Sequence, residues 1–128
     1  ESIYSDYVTE YVRKGANLLF IITNDGWWQD TPGYKQHFAF ARIRAIENRR
    51  SIARSANTGI SGFIDQKGDV ISKTEWWKPD AISATINANN SETLFTKFPY
   101  LIGVIAVIST FILLLLTTVQ LWRKKSAK

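Results

Sequence analysis

The architecture of this chain can be read from one run of residues, Leu18-Leu19-Phe20-Ile21-Ile22-Thr23-Asn24-Asp25-Gly26-Trp27-Trp28. A block of large apolar residues that ends in turn formers predicts a strand buried on both faces. Ligands of open α/β sheets bind just outside the carboxyl ends of the strands. The polar turn and its two tryptophans are therefore a candidate site. The alternative is a simple turn whose indoles pack on a neighbouring helix.

A helix is predicted on each side of this strand. Residues 2–14 carry apolar side chains at helical spacing, and Gly15 is placed to end the helix. Their apolar stripe consists of Ile3, Tyr4, Tyr7, Val8, Tyr11 and Val12. A second helix is predicted over residues 34–50, with an ion pair between Arg44 and Glu47 and with most of its arginines in solvent. Its apolar side consists of Phe38, Ala41, Ala45 and Ile46.

The next part of the chain has strand and turn signals. Residues 51–56 predict a buried strand, and residues 60–64 and 70–72 predict a hairpin with Gly68 in its tight turn. Residues 76–80, which include Trp76 and Trp77, are expected to be irregular. The alternation of Ile82, Ala84 and Ile86 predicts an edge strand over 81–87. Helices that alternate with strands indicate an α/β fold.

A membrane span is predicted near the C-terminus. Residues 100–122 contain no charged side chain, and about 20 apolar residues suffice to cross a bilayer. Tyr100 and Trp122 stand at its ends, as interfacial anchors do. The basic residues that follow indicate a cytoplasmic C-terminus, which places residues 1–99 on the far side of the membrane.

Composition excludes several classes of function. The net charge is +5, but Arg123, Lys124, Lys125 and Lys128 carry four of the sixteen basic charges. The remaining chain is nearly balanced, so no nucleic-acid partner is expected. One His and no Cys predict neither a metal site nor a disulfide. No cofactor is expected. Because the chain has no Met, we expect it to be a piece of a longer protein.

Several motifs in order carry a family resemblance. They are Ile-Thr-Asn-Asp-Gly-Trp-Trp at 22–28, Gln36-His37, the helix run 41–48, Arg-Ser-Ala-Asn-Thr-Gly-Ile-Ser at 54–61, and the turn 65–68. This set resembles the second half of a nitrilase-type, or carbon–nitrogen hydrolase, domain. With the span and basic tail, it is similar to the C-terminal end of the bacterial apolipoprotein N-acyltransferases.

The resemblance implies a domain plan. Residues 1–90 would be the C-terminal half of a nitrilase-like α/β sandwich, and residues 91–99 would be a linker. A transmembrane helix over 100–122 and a basic cytoplasmic tail over 123–128 would follow. That family acts in the bacterial inner membrane, with its nitrilase-like domain in the periplasm.

The resemblance also implies an activity. The family transfers an acyl chain from a phospholipid donor to the N-terminal diacylglyceryl-cysteine of an apolipoprotein, through a thioester on a Glu-Lys-Cys triad. Glu1-Ser2 matches the end of the family's Cys-Tyr-Glu motif, so Glu1 would be the acidic residue beside the nucleophile. The triad itself would lie upstream, and this chain alone is expected to be inactive.

Further site residues are expected around the 22–28 motif. Substrate contact is expected from Asn24, Asp25, Trp27 and Trp28. A structural role near the site is expected from His37, Glu47, Asn48, Arg54 and Asn57. For Trp76 and Trp77, packing or anchoring at a membrane interface is favoured over a role in the site.

Two other functions stay open at this point. A membrane-anchored amidase or nitrilase of the same fold would resolve its acyl-enzyme with water instead of an amine. A non-enzymatic single-pass protein would only bind a partner through residues 1–99. A cysteine upstream of Glu1 would exclude the second alternative, and several upstream spans would disfavour the first.

Overall fold

The computed structural model describes residues 2–126, so Glu1 lies outside the described residues. The chain divides into two compact units, one up to Lys97 and one from Phe98 onward. The first unit holds the sheet and the helices packed on it. The second holds one long helix.

The first helix, α1, spans Ser5–Arg13 and ends as predicted. Gly15 has φ 102°, its N–H donates to the carbonyl of Val12 (2.9 Å), and the N–H of Ala16 donates to Tyr11 (3.0 Å). These two bonds close a left-handed cap on the helix. The predicted stripe is only half buried. Val8 and Val12 enter the core, whereas the stripe's remaining members, Ile3, Tyr4, Tyr7 and Tyr11, are exposed.

Strand β1 spans Leu19–Asn24, and the prediction that both its faces are buried was wrong. Leu19 lies in the core and Ile21 packs against it, but Phe20 and Ile22 are 73% and 89% exposed. Helices cover one face of the strand, and successive side chains point to opposite faces. Both faces of β1 carry apolar side chains, which is why the apolar run in the sequence has no break. Helices cover only one of these two faces.

The described residues form a four-stranded sheet with the order β1-β2-β3-β4. Strand β2 (Ile52–Asn57) runs parallel to β1, with Leu19 beside Ile52 and Asn24 beside Asn57. Strands β3 (Gly62–Ile64) and β4 (Val70–Lys73) complete it in antiparallel fashion and confirm the predicted hairpin. In its turn, Gly68 has φ 85°.

Helix α2 spans Pro32–Asn48 and crosses between the two parallel strands. The Thr31 side chain caps its first turn by accepting the N–H of Gly33 (3.3 Å). Its core residues include the predicted Phe38, Ala41 and Ala45. Ile46 was predicted to be buried but is 45% exposed, because it covers the turn at Gly68 instead of entering the core.

The expectation that the arginines near the end of α2 are solvated was wrong for Arg44 and Arg50, which are buried. Arg44 donates to the carbonyl of Ile3 (3.0 Å) and pairs with Glu47. Arg50 donates to the carbonyls of Ala16 (2.7 Å), Asn48 and Ser91. The final carbonyls of a helix have no partner within the helix. A guanidinium with five donors can satisfy such carbonyls while it is buried.

The predicted edge strand over 81–87 does not form, and the structure has no strand between Lys73 and Leu94. The alternation survives, since Ile82, Ala84 and Ile86 are half-buried and their neighbours are exposed. The start of this segment borders the outer face of the sheet near Phe20 and Phe63. The alternating pattern therefore correctly indicated which side chains face the protein. It could not show whether a neighbouring strand is available for pairing.

The last residues of the first unit are hydrogen-bonded to the end of α2. Asn89 donates to the carbonyl of Arg49 (2.8 Å), and Thr93, just before the short helix α3 (Leu94–Lys97), donates to the carbonyl of Glu47 (2.5 Å). Thr96 is fully buried. These bonds satisfy the last carbonyls of α2.

The second unit consists mainly of helix α4, Leu101–Ser126. Among the described residues it is the one helix long and apolar enough to cross a membrane, in agreement with the predicted span. Its hydroxyls donate to its own backbone, as Ser109 does to Ile105 (2.8 Å). The hydroxyl groups of the span are thus satisfied within the helix.

Candidate functional site

The candidate site lies where β1 and β2 end side by side. The two strands are parallel, so their carboxyl ends meet at one edge of the sheet. The N–H of Asp25 continues the pairing by donating to the carbonyl of Asn57 (3.3 Å). Gly26–Trp28 then form a short 3-10 turn, and Asn24 Oδ1 accepts the N–H of Gly26 (3.0 Å). The structure therefore brings the loop 24–28 and the turn 57–59 together.

Asp25 is the centre of a buried polar cluster, which we define as Asp25, His37 and Arg54. The side chains of Asp25 and Arg54 are fully buried, and Arg54 Nη2 lies 2.8 Å from Asp25 Oδ2 and 3.1 Å from Oδ1. His37 Nδ1 lies 2.8 Å from Asp25 Oδ1. The cluster joins the loop after β1, helix α2 and strand β2. Both carboxylate oxygens are engaged inside the protein, so the fully buried Asp25 holds the loop in place and is not positioned for the substrate contact expected from the sequence.

The geometry assigns the protons of this cluster. Arg54 can only donate, and the carboxylate of Asp25 can only accept. His37 Nδ1 is 2.8 Å from the carboxylate and 3.2 Å from Arg54 Nη2. The shorter contact to the anion favours a proton on Nδ1, directed at Asp25. The remaining nitrogen, Nε2, then stays available as an acceptor on the far side of the ring.

Close packing fixes the turn after β2 against this cluster. A Cβ built on Gly59 would lie 2.3 Å from Asp25 Oδ2. No side chain fits there, so Gly59 is required by close approach. Arg54 adds a second tie, because its Nη1 donates to the carbonyl of Ile60. The end of β2, where Asn57 lies, is therefore held firmly beside Asn24 at the end of β1.

The four tryptophans of the first unit differ in environment. Trp27 is 83% exposed, whereas Trp28 covers the start of α2 so closely that a Cβ on Gly33 would lie 2.4 Å from its ring. Trp76 stacks on Tyr34 with ring centroids 4.1 Å apart, which is the packing role expected of it. Trp77 is 63% exposed.

Glu47 and Asn48 lie away from the site edge. Glu47 is ten residues after His37 on α2, about 15 Å further along the helix axis. Its Oε2 is 2.8 Å from Arg44 Nε, which confirms the predicted pair. Burial raises the pKa of Glu47, and the guanidinium of Arg44 only partly opposes that rise. Asn48 is fully buried and donates to the carbonyl of Arg44 (3.1 Å).

Sequence reasoning missed Thr58, which lies at the site edge with φ 59°, in the left-handed region. A β-branched residue is rarely found there. No local signal marks it, because the neighbouring Gly59 is the residue that a turn would be expected to use. Among residues 2–126, no group of three His, Cys, Asp or Glu side chains could hold a metal ion.

Comparison with known proteins agrees with this arrangement. Residues 1–94 match the carbon–nitrogen hydrolase family. The chain is 41% identical over 102 residues to an apolipoprotein N-acyltransferase of Chlorobaculum tepidum, which covers 80% of this chain and 19% of that protein. It is 34% identical over 116 residues to the apolipoprotein N-acyltransferase of Thermotoga maritima, which covers 88% of this chain and 23% of that protein.

The chain thus spans about a fifth of the length of these curated relatives. The match extends over both parallel strands, both long helices of the first unit and the hairpin. It confirms the α/β fold and the resemblance predicted from the motifs. The chain belongs to the carbon–nitrogen hydrolase family.

Proposed function

We propose that this chain is the C-terminal part of an apolipoprotein N-acyltransferase. The observation that carries the proposal is the similarity to proteins of that name, which reaches beyond the family domain in the longer alignments. A helix able to span a membrane follows the domain, and such a helix would hold a lipid-modifying enzyme at the surface where its substrates lie. Residues 1–90 would complete the enzyme's nitrilase-like domain, and residues 91–99 would connect it to the anchor.

The proposed reaction has two acyl-transfer steps. A cysteine thiolate upstream of Glu1 attacks an ester carbonyl of a phospholipid, which forms a thioester and releases a lysophospholipid. The α-amine of a diacylglyceryl-cysteine then attacks the thioester, which forms an amide and releases the thiol after loss of the amine proton. Neither step requires a metal or an organic cofactor.

The described residues would contribute one wall of the pocket. Asn24, Trp27 and Trp28 stand at the site edge, where they can contact the substrate. The buried cluster and Asn57 would position that edge, because their hydrogen bonds fix the loop 24–28 against the turn 57–59. Glu47 and Asn48 would tie α2 to the neighbouring chain.

The proposed location is the bacterial inner membrane. Arg123, Lys124 and Lys125 form the last turn of α4, the pattern of a cytoplasmic flank. Residues 1–99 would then be periplasmic. A phosphatase fused after residue 128, active only in the periplasm, should be inactive, and the same enzyme inserted at the exposed Asn90 should be active. The reverse pattern would overturn this orientation.

The decisive experiment uses the intact protein, with the coding sequence upstream of Glu1 included. In detergent micelles with a phospholipid and a diacylated lipopeptide, mass spectrometry should show a triacylated peptide and a lysophospholipid. Release of ammonia from small amides without acyl transfer would favour the anchored amidase. A protein without an upstream cysteine and without turnover would favour the partner-binding alternative.

Glu1 offers a residue-level test of the same proposal. By resemblance to the family's motif, Glu1 would lie beside the nucleophile, so Glu1→Ala in the intact protein should lower acyl transfer by about 100-fold or more. Glu10→Ala is the matched control, because Glu10 is exposed on α1 and its ion pairs among residues 2–126 are the surface pairs with Arg13 and Lys14. Unchanged turnover in Glu1→Ala would remove Glu1 from the site.

A further inference from the structure

A buried arginine joins the last turns of α2 to the chain that enters α1. The side chain of Arg44 is buried, and its Nη1 donates to the carbonyl of Ile3 (3.0 Å), 41 residues earlier in the sequence. Its Nε lies 2.8 Å from Glu47 Oε2, and its Nη2 donates to Glu47 Oε1 (3.1 Å). Glu47 therefore fixes the guanidinium with both oxygens and leaves the remaining nitrogen directed at the backbone of Ile3.

Stability alone is a weak reason for this ion pair. A buried pair of charges can often be replaced by apolar side chains of similar volume without loss of stability, because desolvation offsets the attraction. Burial has the largest effect on Arg44 and lowers the pKa of its guanidinium, while the carboxylates of Glu47 and Asp6 partly oppose that change. The chain thus buries a cation at the place where that cation holds the carbonyl of Ile3.

Among the described residues, neither burial nor a side-chain cap fixes the entry to α1. The side chains of Ile3 and Tyr4 are exposed, so their burial does not hold this stretch in place. Tyr4 is the N-cap of α1, and within residues 2–126 its side chain makes no capping hydrogen bond. A capping side chain is the common means of fixing the start of a helix. Arg44 therefore supplies, from another helix, the tie that a local cap would provide.

The place of this tie connects it with the proposed chemistry. Helix α2 begins at Pro32, shortly after the site loop, and helical side chains lean toward the N-terminus of their helix, so Arg44 extends toward the site end. In the motif that Glu1 matches, the nucleophilic cysteine stands four residues before Ile3, so at most about 14 Å of chain separates the two. A displacement of about 1 Å can lower a reaction rate by about 100-fold. The anchoring of Ile3 thus constrains the nucleophile.

We propose that Arg44, held by Glu47, is a positioning residue for the nucleophile of the intact protein. Through the carbonyl of Ile3 it would fix the backbone that follows the Cys-Tyr-Glu motif, without touching the substrate or the reacting atoms. This inference rests on the proposed function, because that function places a nucleophilic cysteine upstream of Glu1. Lysine could not take this role, since one ammonium cannot bind a carboxylate through two nitrogens and also reach a backbone carbonyl.

Two variants of the intact protein separate positioning from stability. Arg44→Lys keeps the charge but loses the planar fork, and it should lower kcat for acyl transfer by about tenfold or more while KM changes by less than about twofold. The double variant Arg44→Met with Glu47→Leu replaces the ion pair by apolar side chains, so its melting temperature should be retained. Its kcat should fall at least as far as that of Arg44→Lys, because the tie to Ile3 is lost.

Arg42→Met is the matched control. Arg42 lies on the same helix and also donates to a backbone carbonyl, from its Nε to Gly68 (2.7 Å), but that carbonyl belongs to the turn between β3 and β4. Its replacement should leave kcat unchanged. A double variant of Arg44 and Glu47 that keeps both its melting temperature and its kcat would overturn the proposal. Equal losses of kcat in Arg42→Met and Arg44→Lys would also overturn it, because they would reflect the stability of α2 and not the tie to Ile3.

Alkylation of the upstream cysteine tests the same role without turnover. Iodoacetamide reacts with the thiolate, so the pH midpoint of the alkylation rate reports how well the nucleophile is held against its activating groups. Arg44→Lys should move this midpoint to higher pH, toward that of a free thiol, and Arg42→Met should not. That shift in a protein without acyl transfer would keep the role of Arg44 and reject the proposed function. Normal acyl transfer with an unchanged midpoint and kcat in Arg44→Lys would keep the proposed function and overturn this inference. An intact protein without an upstream cysteine would overturn both.

Discussion

Asp25 shows how a single buried carboxylate can hold a site edge together. It is fully buried, and its oxygens are shared by Arg54 and His37. Removing one partner of a buried ion pair leaves the other charge uncompensated, at a cost of about 3–5 kcal/mol. We therefore expect Asp25→Asn to destabilise the intact protein by that amount, measured by chemical denaturation in mild detergent.

Asp30→Asn serves as the control for this change. Asp30 lies in the same loop but is exposed, so its loss should change the free energy of unfolding by less than about 0.5 kcal/mol. Equal effects of the two substitutions would mean that the ion pair to Arg54 contributes little to stability.

Glu47 gives the protein a pH dependence of known sign. Burial raises its pKa above the ordinary value of 4.5, so the folded state holds a proton that the unfolded state has released. Stability should therefore fall as pH rises from about 4.5 through the folded pKa. Glu47→Gln should flatten this part of the curve, measured as melting temperature against pH.

Glu75 should show the opposite dependence and is the control. Its pKa is lowered, first by the hydrogen bond from Lys78 and then by the charge of Lys78, and it is fully exposed. The pair of Glu75 with Lys78 adds slightly to the stability of the folded state above pH 4.5, and this addition is lost as the pH falls through the lowered pKa of Glu75. A Glu47→Gln variant with an unchanged pH profile would contradict the raised pKa.

At the scale of elements, replacing two glycines that lie in turns should lower the stability of the protein to different degrees. Gly15 and Gly68 both have positive φ, but a Cβ at Gly15 meets nothing, whereas one at Gly68 would lie 2.7 Å from the side chain of Ile46. Gly15→Ala should cost about 1–2 kcal/mol from backbone strain alone. Gly68→Ala should cost more, because the side chain of Ile46 must also move. The reverse order in denaturation experiments would refute this ranking.

The sequence predicted where helices and strands lie along the chain more reliably than it predicted which strands pair with each other. Strand β1, its turn and the hairpin are encoded locally, by apolar runs that end in Asn, Asp and Gly. The segment 81–87 has an equally clear alternation, yet it forms no strand, since pairing depends on an available neighbour. The same holds for the candidate site. The position of Asn24 and Asp25 directly after a strand predicted that they belong to the site. The burial of Asp25 depends on its ion pair with Arg54, which is 29 residues away in the sequence.

At the scale of the whole molecule, the outer face of the sheet stands out. The strand register places Phe20, Ala53 and Phe63 in one row across three strands, on the face opposite the helices. Ile22 lies on the same face of β1 and is 89% exposed. Soluble monomers rarely expose contiguous apolar surface of this kind. This face requires a cover in any stable form of the protein.

The part of the chain that precedes α4 should therefore fold poorly in water when it is expressed without that helix. Residues 1–99 expressed by themselves in detergent-free buffer should show no cooperative thermal transition and should aggregate, because Phe20 and Ile22 remain exposed. The double substitution Phe20→Ser and Ile22→Thr should reduce aggregation in light scattering. The matched pair Leu19→Ser and Ile52→Thr should not, since those side chains fill the core. A monomeric wild-type unit with a sharp, reversible transition would show that the helix-covered face is sufficient for stability.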